Sequence, residues 1–165
     1  TSANGWARPG VVGEYGLDYL ARTLVNHGGI WANIKPEVLY YRGGSDSTGA
    51  ELNGNNVYTL TSPADALPTG FAKYFWSVIA VDNVLFRVLP NPEKRYLLNE
   101  QTKPQRGADG SLTLYFAAEK PANAPQGNWL PTPKGSVYRL TMRFYGPLDG
   151  VANGTYFPPP LVKVL

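Results

Sequence analysis

Arginine and tyrosine recur in this chain at spacings that gather them onto shared faces. Tyr15, Tyr19 and Arg22 follow one another at helical intervals, so a helix would set them on one side, apart from its leucines. Arg139 and Arg143 lie in VYRLTMRFY (Val137–Tyr145), where polar and apolar residues alternate. As a strand, this stretch places Tyr138, Leu140, Met142 and Phe144 on one face, and Arg139, Thr141 and Arg143 on the other. A guanidinium holds anions through a planar fork of donors, while Tyr and Trp offer apolar area with one polar tip. If the helix packs across the mouth of a sandwich, Tyr15, Tyr19, Arg22, Trp129 and Arg143 would line a cleft. Such a cleft suits a small amphipathic, anionic or sugar ligand. The plainer reading is that aromatics of a sandwich fill its core and strand arginines face water. Trp76, in an apolar run, is read as core; Trp129, between Asn128 and Pro131, could instead pin its loop onto the sheet.

Other chemistries are narrower. His27 is the only histidine and cysteine is absent, which removes metal sites built from several nitrogen or sulfur ligands, thiolate chemistry and disulfides. The stretch Asp46–Ser47–Thr48–Gly49–Ala50–Glu51 offers oxygen ligands but lacks the spacing of a calcium loop, and reads as a polar turn. No metal and no cofactor are therefore expected. His27 stands near a helix end beside two glycines, and no Gly-x-Ser-x-Gly elbow is present, so a serine hydrolase lacks its parts. Glu14 and Asp18 would share a helix face and could split their pKa values. Asp18 also has Arg22 four residues on, the spacing of an ordinary ion pair.

Composition bounds the rest. The chain has 165 residues, 18 Gly and 15 Pro, enough punctuation to favour short strands over long helices. Net charge is +3 with the basic residues scattered; Lys94–Arg95 is the only adjacent basic pair, so no nucleic-acid stripe is present. No apolar run approaches the ~20 residues of a membrane span. The chain opens on Thr1 without Met, as a processed, trimmed or fragmentary chain would.

Several elements must position these residues. Residues 1–13 read as an irregular lead-in. A helix is expected from Glu14 to about His27, with Leu17, Leu20 and Leu24 as its apolar stripe and Gly28–Gly29 as its stop. Strands are expected at Val38–Tyr41, Val57–Thr61, Tyr74–Val81, Val84–Leu89, Arg95–Leu98, Ser111–Ala117, Val137–Tyr145 and Leu161–Val164. Asp109–Gly110 is a hairpin signal, and Pro121–Gly135 reads as a loop. The expected fold is mainly β: one domain, with residues 1–35 as lead-in and helix packed on a sandwich of residues 36–165.

Three segments carry a family resemblance. Phe75–Trp76–Ser77–Val78 precedes Asp82; Ala108–Asp109–Gly110–Ser111–Leu112–Thr113 precedes Asn128–Trp129–Leu130–Pro131 and Pro133; Leu140–Thr141–Met142–Arg143–Phe144–Tyr145 precedes Pro147 and a close at Pro158–Pro160. In this order they resemble the domain of unknown function 1214. Asn4–Gly5–Trp6 and the helix from Tyr15 to Arg22 are similar to the segment ahead of it in longer proteins, which often also carry a domain of unknown function 1254. The resemblance implies a jelly-roll-like antiparallel β-sandwich with one N-terminal helix. It also implies a bacterial, exported protein, periplasmic or secreted, and no settled reaction. The chain departs from the family's pattern in having Ile79–Ala80–Val81–Asp82 for Thr-x-Tyr-Asp, and Tyr156–Phe157 where a Trp is common.

The leading expectation is therefore a domain that binds a small molecule. Its rivals are a hydrolase-type enzyme working through Asp18 or Asp82 with Tyr and Arg, and a structural or interaction domain. In the last case the partner would be a missing N-terminal domain or a second copy.

Overall fold

Turn-forming residues cut this chain into short strands, and the computed structural model describes residues 1–10, 12–29 and 32–164. Among them run β1 (Ser2–Ala3), β2 (Trp6–Ala7), α1 (Tyr19–Gly29), β3 (Val38–Gly43), β4 (Val57–Ser62), β5 (Ala72–Asp82), β6 (Leu112–Ala117), β7 (Trp129–Pro131), β8 (Tyr138–Pro147) and β9 (Val162–Val164). One sheet has the order β1-β2-β3-β8-β5 and the other β7-β6-β4-β9. The architecture is a β-sandwich with, among the described residues, a single α-helix, the fold class expected.

Alternation sets which side of each strand is buried. On β8, Tyr138, Leu140, Met142 and Phe144 are fully buried while Arg139, Thr141 and Arg143 stay half-exposed. On β6, Leu112, Leu114 and Phe116 turn inward. The inner faces meet in one core, with Trp76, Val78 and Leu140 from the first sheet against Leu60, Leu114 and Phe116 from the second. Each such side chain contributes about 1.5–3 kcal/mol by leaving water.

Several expectations give way to local chemistry. The lead-in is not irregular: β1 and β2 form a hairpin that extends the first sheet, with Trp6 opposite Gly43 and Ala7 opposite Arg42. Its turn is Asn4–Gly5, both at positive φ (57° and 80°), an Asn-Gly hairpin signal legible in the sequence. Trp6 is fully buried, and its indole N–H donates to the Pro159 carbonyl at 2.9 Å, clasping the two ends of the chain together.

Val84–Leu89 is not a strand. The Asp82 carboxylate accepts from the backbone N–H of Val84 and Leu85 (2.7 and 2.5 Å), and Phe86 takes positive φ, leaving one bridge between Val81 and Val88. Arg95–Leu98 likewise reduces to one bridge, Leu98 with Val78, because the Asn91 side chain ties up both the N–H and the carbonyl of Arg95. Asp109–Gly110 does form a tight turn, closed by Gly107 N–H to the Ser111 carbonyl at 2.9 Å, but it leads into β6 with no partner strand before it. β7 arises inside the expected loop. It runs parallel to β6, against the antiparallel expectation, and as an edge strand it tolerates Pro131, which lacks an N–H.

The helix starts at Tyr19, not Glu14. Asp18 caps it, its Oδ1 accepting from Ala21 N–H at 2.9 Å. Glu14 therefore lies outside the helix and shares no face with Asp18. The leucine stripe is not buried: Leu17, Leu20 and Leu24 are 84, 70 and 62 % exposed, whereas Ala21 and Val25 are partly covered.

Gly43 is needed for a steric reason. A Cβ there would lie 2.8 Å from the Trp6 ring. Gly43→Ala is expected to cost about 1–3 kcal/mol, the range for overpacking a filled core, read as a lower urea midpoint with unchanged slope. A neutral result would mean that the N-terminal hairpin is not seated on β3.

Candidate functional site

Register between three strands builds a grid on the outer face of the first sheet. Tyr40 on β3 lies opposite Arg143 on β8, which lies opposite Ser77 on β5. One step along, Arg42, Thr141 and Ile79 form the next row, and Arg139 pairs with Val81 in the row after. Arg42 is thus diagonal to both Arg143 and Arg139, spacings of about 7–8 Å that long side chains bridge easily.

Over this grid stand α1 and the lead-in, with a cavity of about 630 Å³ between them and the sheet. Its floor carries Tyr40, Arg42, Arg139, Thr141 and Arg143; its walls are Val12, Ala21, Leu24, Val25, Ile79, Val81 and Phe86. The cavity is therefore cationic on one side and apolar on the other. Among the described residues no Asp or Glu lines it, and the only ion pair is Lys134–Glu119 at 3.2 Å, in a different cleft. Three guanidinium groups face one space without a carboxylate.

Neutral groups hold these arginines in place. Arg143 Nε donates to Ser77 Oγ at 3.0 Å, and its guanidinium lies 6.0 Å from the Tyr145 ring centroid. Tyr145 is itself stacked on Phe75 at 4.0 Å. Arg139 Nε donates to Asn83 Oδ1. Arg42 reaches over the Phe86 ring at 5.9 Å. Although much of the Arg42 side chain meets solvent, partial burial of its head, together with Arg139 beside it, disfavours its charged form. Burial first, and then Tyr145, raises the Tyr40 phenol above its ordinary value, against the lowering effect of the Asn33 backbone and Arg143. Tyr40 thus remains an O–H donor at neutral pH. The lining has hydroxyls but no acid, His or Cys, so it can bind and orient an anion but lacks the usual general bases.

The residues expected from sequence are only partly brought together. Arg143 sits in the floor. Tyr15 lies near enough to Tyr40 to contribute to the rise of its pKa, and its own buried hydroxyl has no partner among the described residues. Tyr19 is 66 % exposed and Arg22 is exposed too; neither lines the cavity. Trp129 belongs elsewhere: it is buried beside Ala117 and Ala124, with Nε1 donating to the Ala117 carbonyl at 3.0 Å. It pins β7 to β6, its alternative reading.

The carboxylates weighed for catalysis also have structural roles. Asp18 caps α1, and Asp82 holds the turn after β5; two backbone N–H bonds keep the Asp82 carboxyl below its ordinary value. Asp46 accepts from Thr48 N–H, Thr48 Oγ1 and Ala50 N–H, an Asx-type turn that lowers its pKa. Among the described residues no cluster of His, Cys, Asp and Glu is placed to hold a metal, and no helix is long and apolar enough to cross a membrane.

Sequence reading missed Tyr40 and Arg42. Their signal was present in Val38–Arg42 (VLYYR), where burial of Leu39 and Tyr41 turns Tyr40 and Arg42 outward.

The family model described as "Protein of unknown function (DUF1214)" matches residues 37–149. That span takes in β3, β5 and β8, hence every sheet residue of the cavity, but not α1 or the lead-in. Among solved structures, the chain is similar to the VPA0106 protein from Vibrio parahaemolyticus, with 28% identity and a TM-score of 0.71 over 85% of this chain and 34% of that one. It is also similar to an uncharacterized protein from Burkholderia cenocepacia, with 20% identity and a TM-score of 0.56 over 82% and 32% of the two chains, a likeness of fold alone. The chain thus spans about a third of the length of either neighbour. No curated protein matches it.

Proposed function

This chain belongs to the DUF1214 family, described only as proteins of unknown function, and on that premise we propose that its α1-covered cavity binds a small amphipathic anion, a carboxylate carried on an apolar chain or ring. The observation that carries the reading is the convergence of Arg42, Arg139 and Arg143 on a space with no acid in its lining. Like charges so arranged repel one another in the empty protein, and an anion would relieve that repulsion while accepting charge-assisted hydrogen bonds. The apolar wall of Val12, Leu24, Val25 and Phe86 supplies the other half of the recognition. Tyr40, kept protonated, offers a further donor.

Octanoate tests both halves, because acetate has its charge without its chain and 1-octanol its chain without its charge. At a hundred times its dissociation constant a ligand stabilises by about 2.7 kcal/mol, which for a domain of this size is on the order of 5–10 °C in melting temperature. Octanoate is expected to give a saturable rise of that kind, with acetate and octanol giving little. Equal stabilisation by octanol, or none by octanoate, would remove the reading.

A further inference from the structure

The three arginines of the cavity floor do not form one cluster. Arg139 and Arg143 are four positions apart on β8, which sets their α-carbons about 13 Å apart. Their heads are drawn in opposite directions. Arg139 Nε donates to Asn83 Oδ1. Asn83 follows Asp82, whose register partner is Tyr138, so it lies on the side of Arg139 away from Arg143. Arg143 Nε donates to Ser77 Oγ directly across on β5. Its guanidinium approaches the Tyr145 ring, on the side away from Arg139.

Register leaves Arg42 midway between them, because its partner on β8 is Thr141. Its contacts decide which it joins. The Arg42 guanidinium lies over Phe86, which follows the turn holding Asn83, and Arg139 is the charge that disfavours its cation. Tyr40 stands opposite Arg143 and feels the Arg143 charge. The cavity thus has two polar ends: Arg42 with Arg139 at one, and Arg143 with the Tyr40 hydroxyl at the other. Between them the floor carries Thr141 and Ile79, and Leu24 and Val25 of α1 add apolar wall.

The geometry points to a ligand with an anionic group at each end of an apolar spacer, an α,ω-dicarboxylate of about ten carbons. One carboxylate sits on Arg143 and Tyr40, the other on Arg42 and Arg139. This inference rests on the anion reading of the cavity and narrows it. An extended chain gains about 1.2 Å per bond, so ten carbons span about 11 Å. Charge-assisted hydrogen bonds of about 2.8 Å at each end make up the rest of the distance between the heads. A monoanion relieves one end and leaves the other charged and empty. A second carboxylate tethered to the first binds at high effective concentration, so its contacts add to affinity without a second association step. The methylene spacer leaves water against Ile79, Leu24 and Val25, which a polar spacer of the same length would not do.

The test is isothermal titration calorimetry with decanedioate, decanoate and butanedioate. Decanoate has the length with one charge, and butanedioate has both charges without the length. Decanedioate is expected to bind at least about tenfold tighter than decanoate, the gain from one more set of hydrogen bonds between charged groups, and butanedioate weakly. Arg139→Met should bring decanedioate down to the affinity of decanoate while leaving decanoate within about threefold of its wild-type affinity. Arg42→Met, at the same end, replaces it should that variant not fold. Decanoate binding with decanedioate no tighter, or decanedioate binding equally well to the variant, would overturn this inference and leave the anion reading standing. Failure of both long acids to bind would overturn the two together.

Discussion

Phe144→Ala should lower the stability of this domain by about 3–5 kcal/mol, the range for removing a buried aromatic ring that neighbours cannot refill. For a domain of this length that is on the order of a 10 °C drop in melting temperature. Phe144 is fully buried near the end of β8, its ring meeting Tyr41 edge-on at 5.8 Å and Tyr156 at 5.7 Å. Tyr41 also packs on Phe157 at 5.4 Å and donates its hydroxyl to the Tyr156 carbonyl at 2.8 Å. Tyr156 in turn lies 3.9 Å from Phe71. One ring thus joins β8, β3 and the segment leading to β9, and each edge-to-face pair adds about 0.5–1.5 kcal/mol beyond burial. Rigid β-neighbours on both sides limit collapse into the space. Phe144→Leu, which keeps most of the volume, should cost under about 2 kcal/mol. Urea unfolding with an unchanged slope is the measurement, and a loss below about 1 kcal/mol for the alanine variant would contradict a closed core at this point.

The second large effect concerns the three arginines. Arg143→Met keeps the apolar stem of the side chain and removes the fork, and should weaken octanoate binding about tenfold to a hundredfold. The double variant Arg42→Met, Arg143→Met should abolish measurable binding at a stability cost of only about 1 kcal/mol, the loss of the Arg143 bond to the buried Ser77 hydroxyl. Arg42 lies beside Arg139, where both burial and like charge disfavour its cation, so removing that charge relieves the empty protein. The joint expectation is a melting temperature within about 5 °C of wild type with no response to octanoate, a combination that general damage to the fold does not produce. If instead the double variant melts lower and still binds octanoate, the arginines serve the fold and the anion reading is wrong.

How far these residues could be read in advance depended on distance along the chain. Alternation in β8 assigned Arg139 and Arg143 to the face opposite Phe144, and it held at every position from Tyr138 to Tyr145. The helix misled in a particular way. Helical spacing of Leu17, Leu20 and Leu24 pointed to a buried stripe, but the Asp18 cap starts α1 at Tyr19 and the small side chains Ala21 and Val25 face the sheet instead. Tyr19 and Arg22 consequently point into water. Trp129 was placed by its carbonyl partner on β6, a contact that loop composition does not contain. Asp82 stopped a strand that its apolar residues favoured, because a side chain that captures two backbone N–H groups competes directly with a ladder.

By itself the sequence determined the β-rich class, the face of each main strand, and the lack of thiolate or multi-histidine chemistry, because side-chain direction in a strand repeats every two residues and residue types are countable. Only the tertiary structure decided that β3, β8 and β5 are neighbours, in a register that sets Arg42 diagonal to Arg139 and Arg143. Those pairings join residues far apart on the chain, Arg42 with Thr141 and Ile79 with Thr141. Long-range pairing is selected by which apolar faces can be buried together after the loops close, and no local period encodes it.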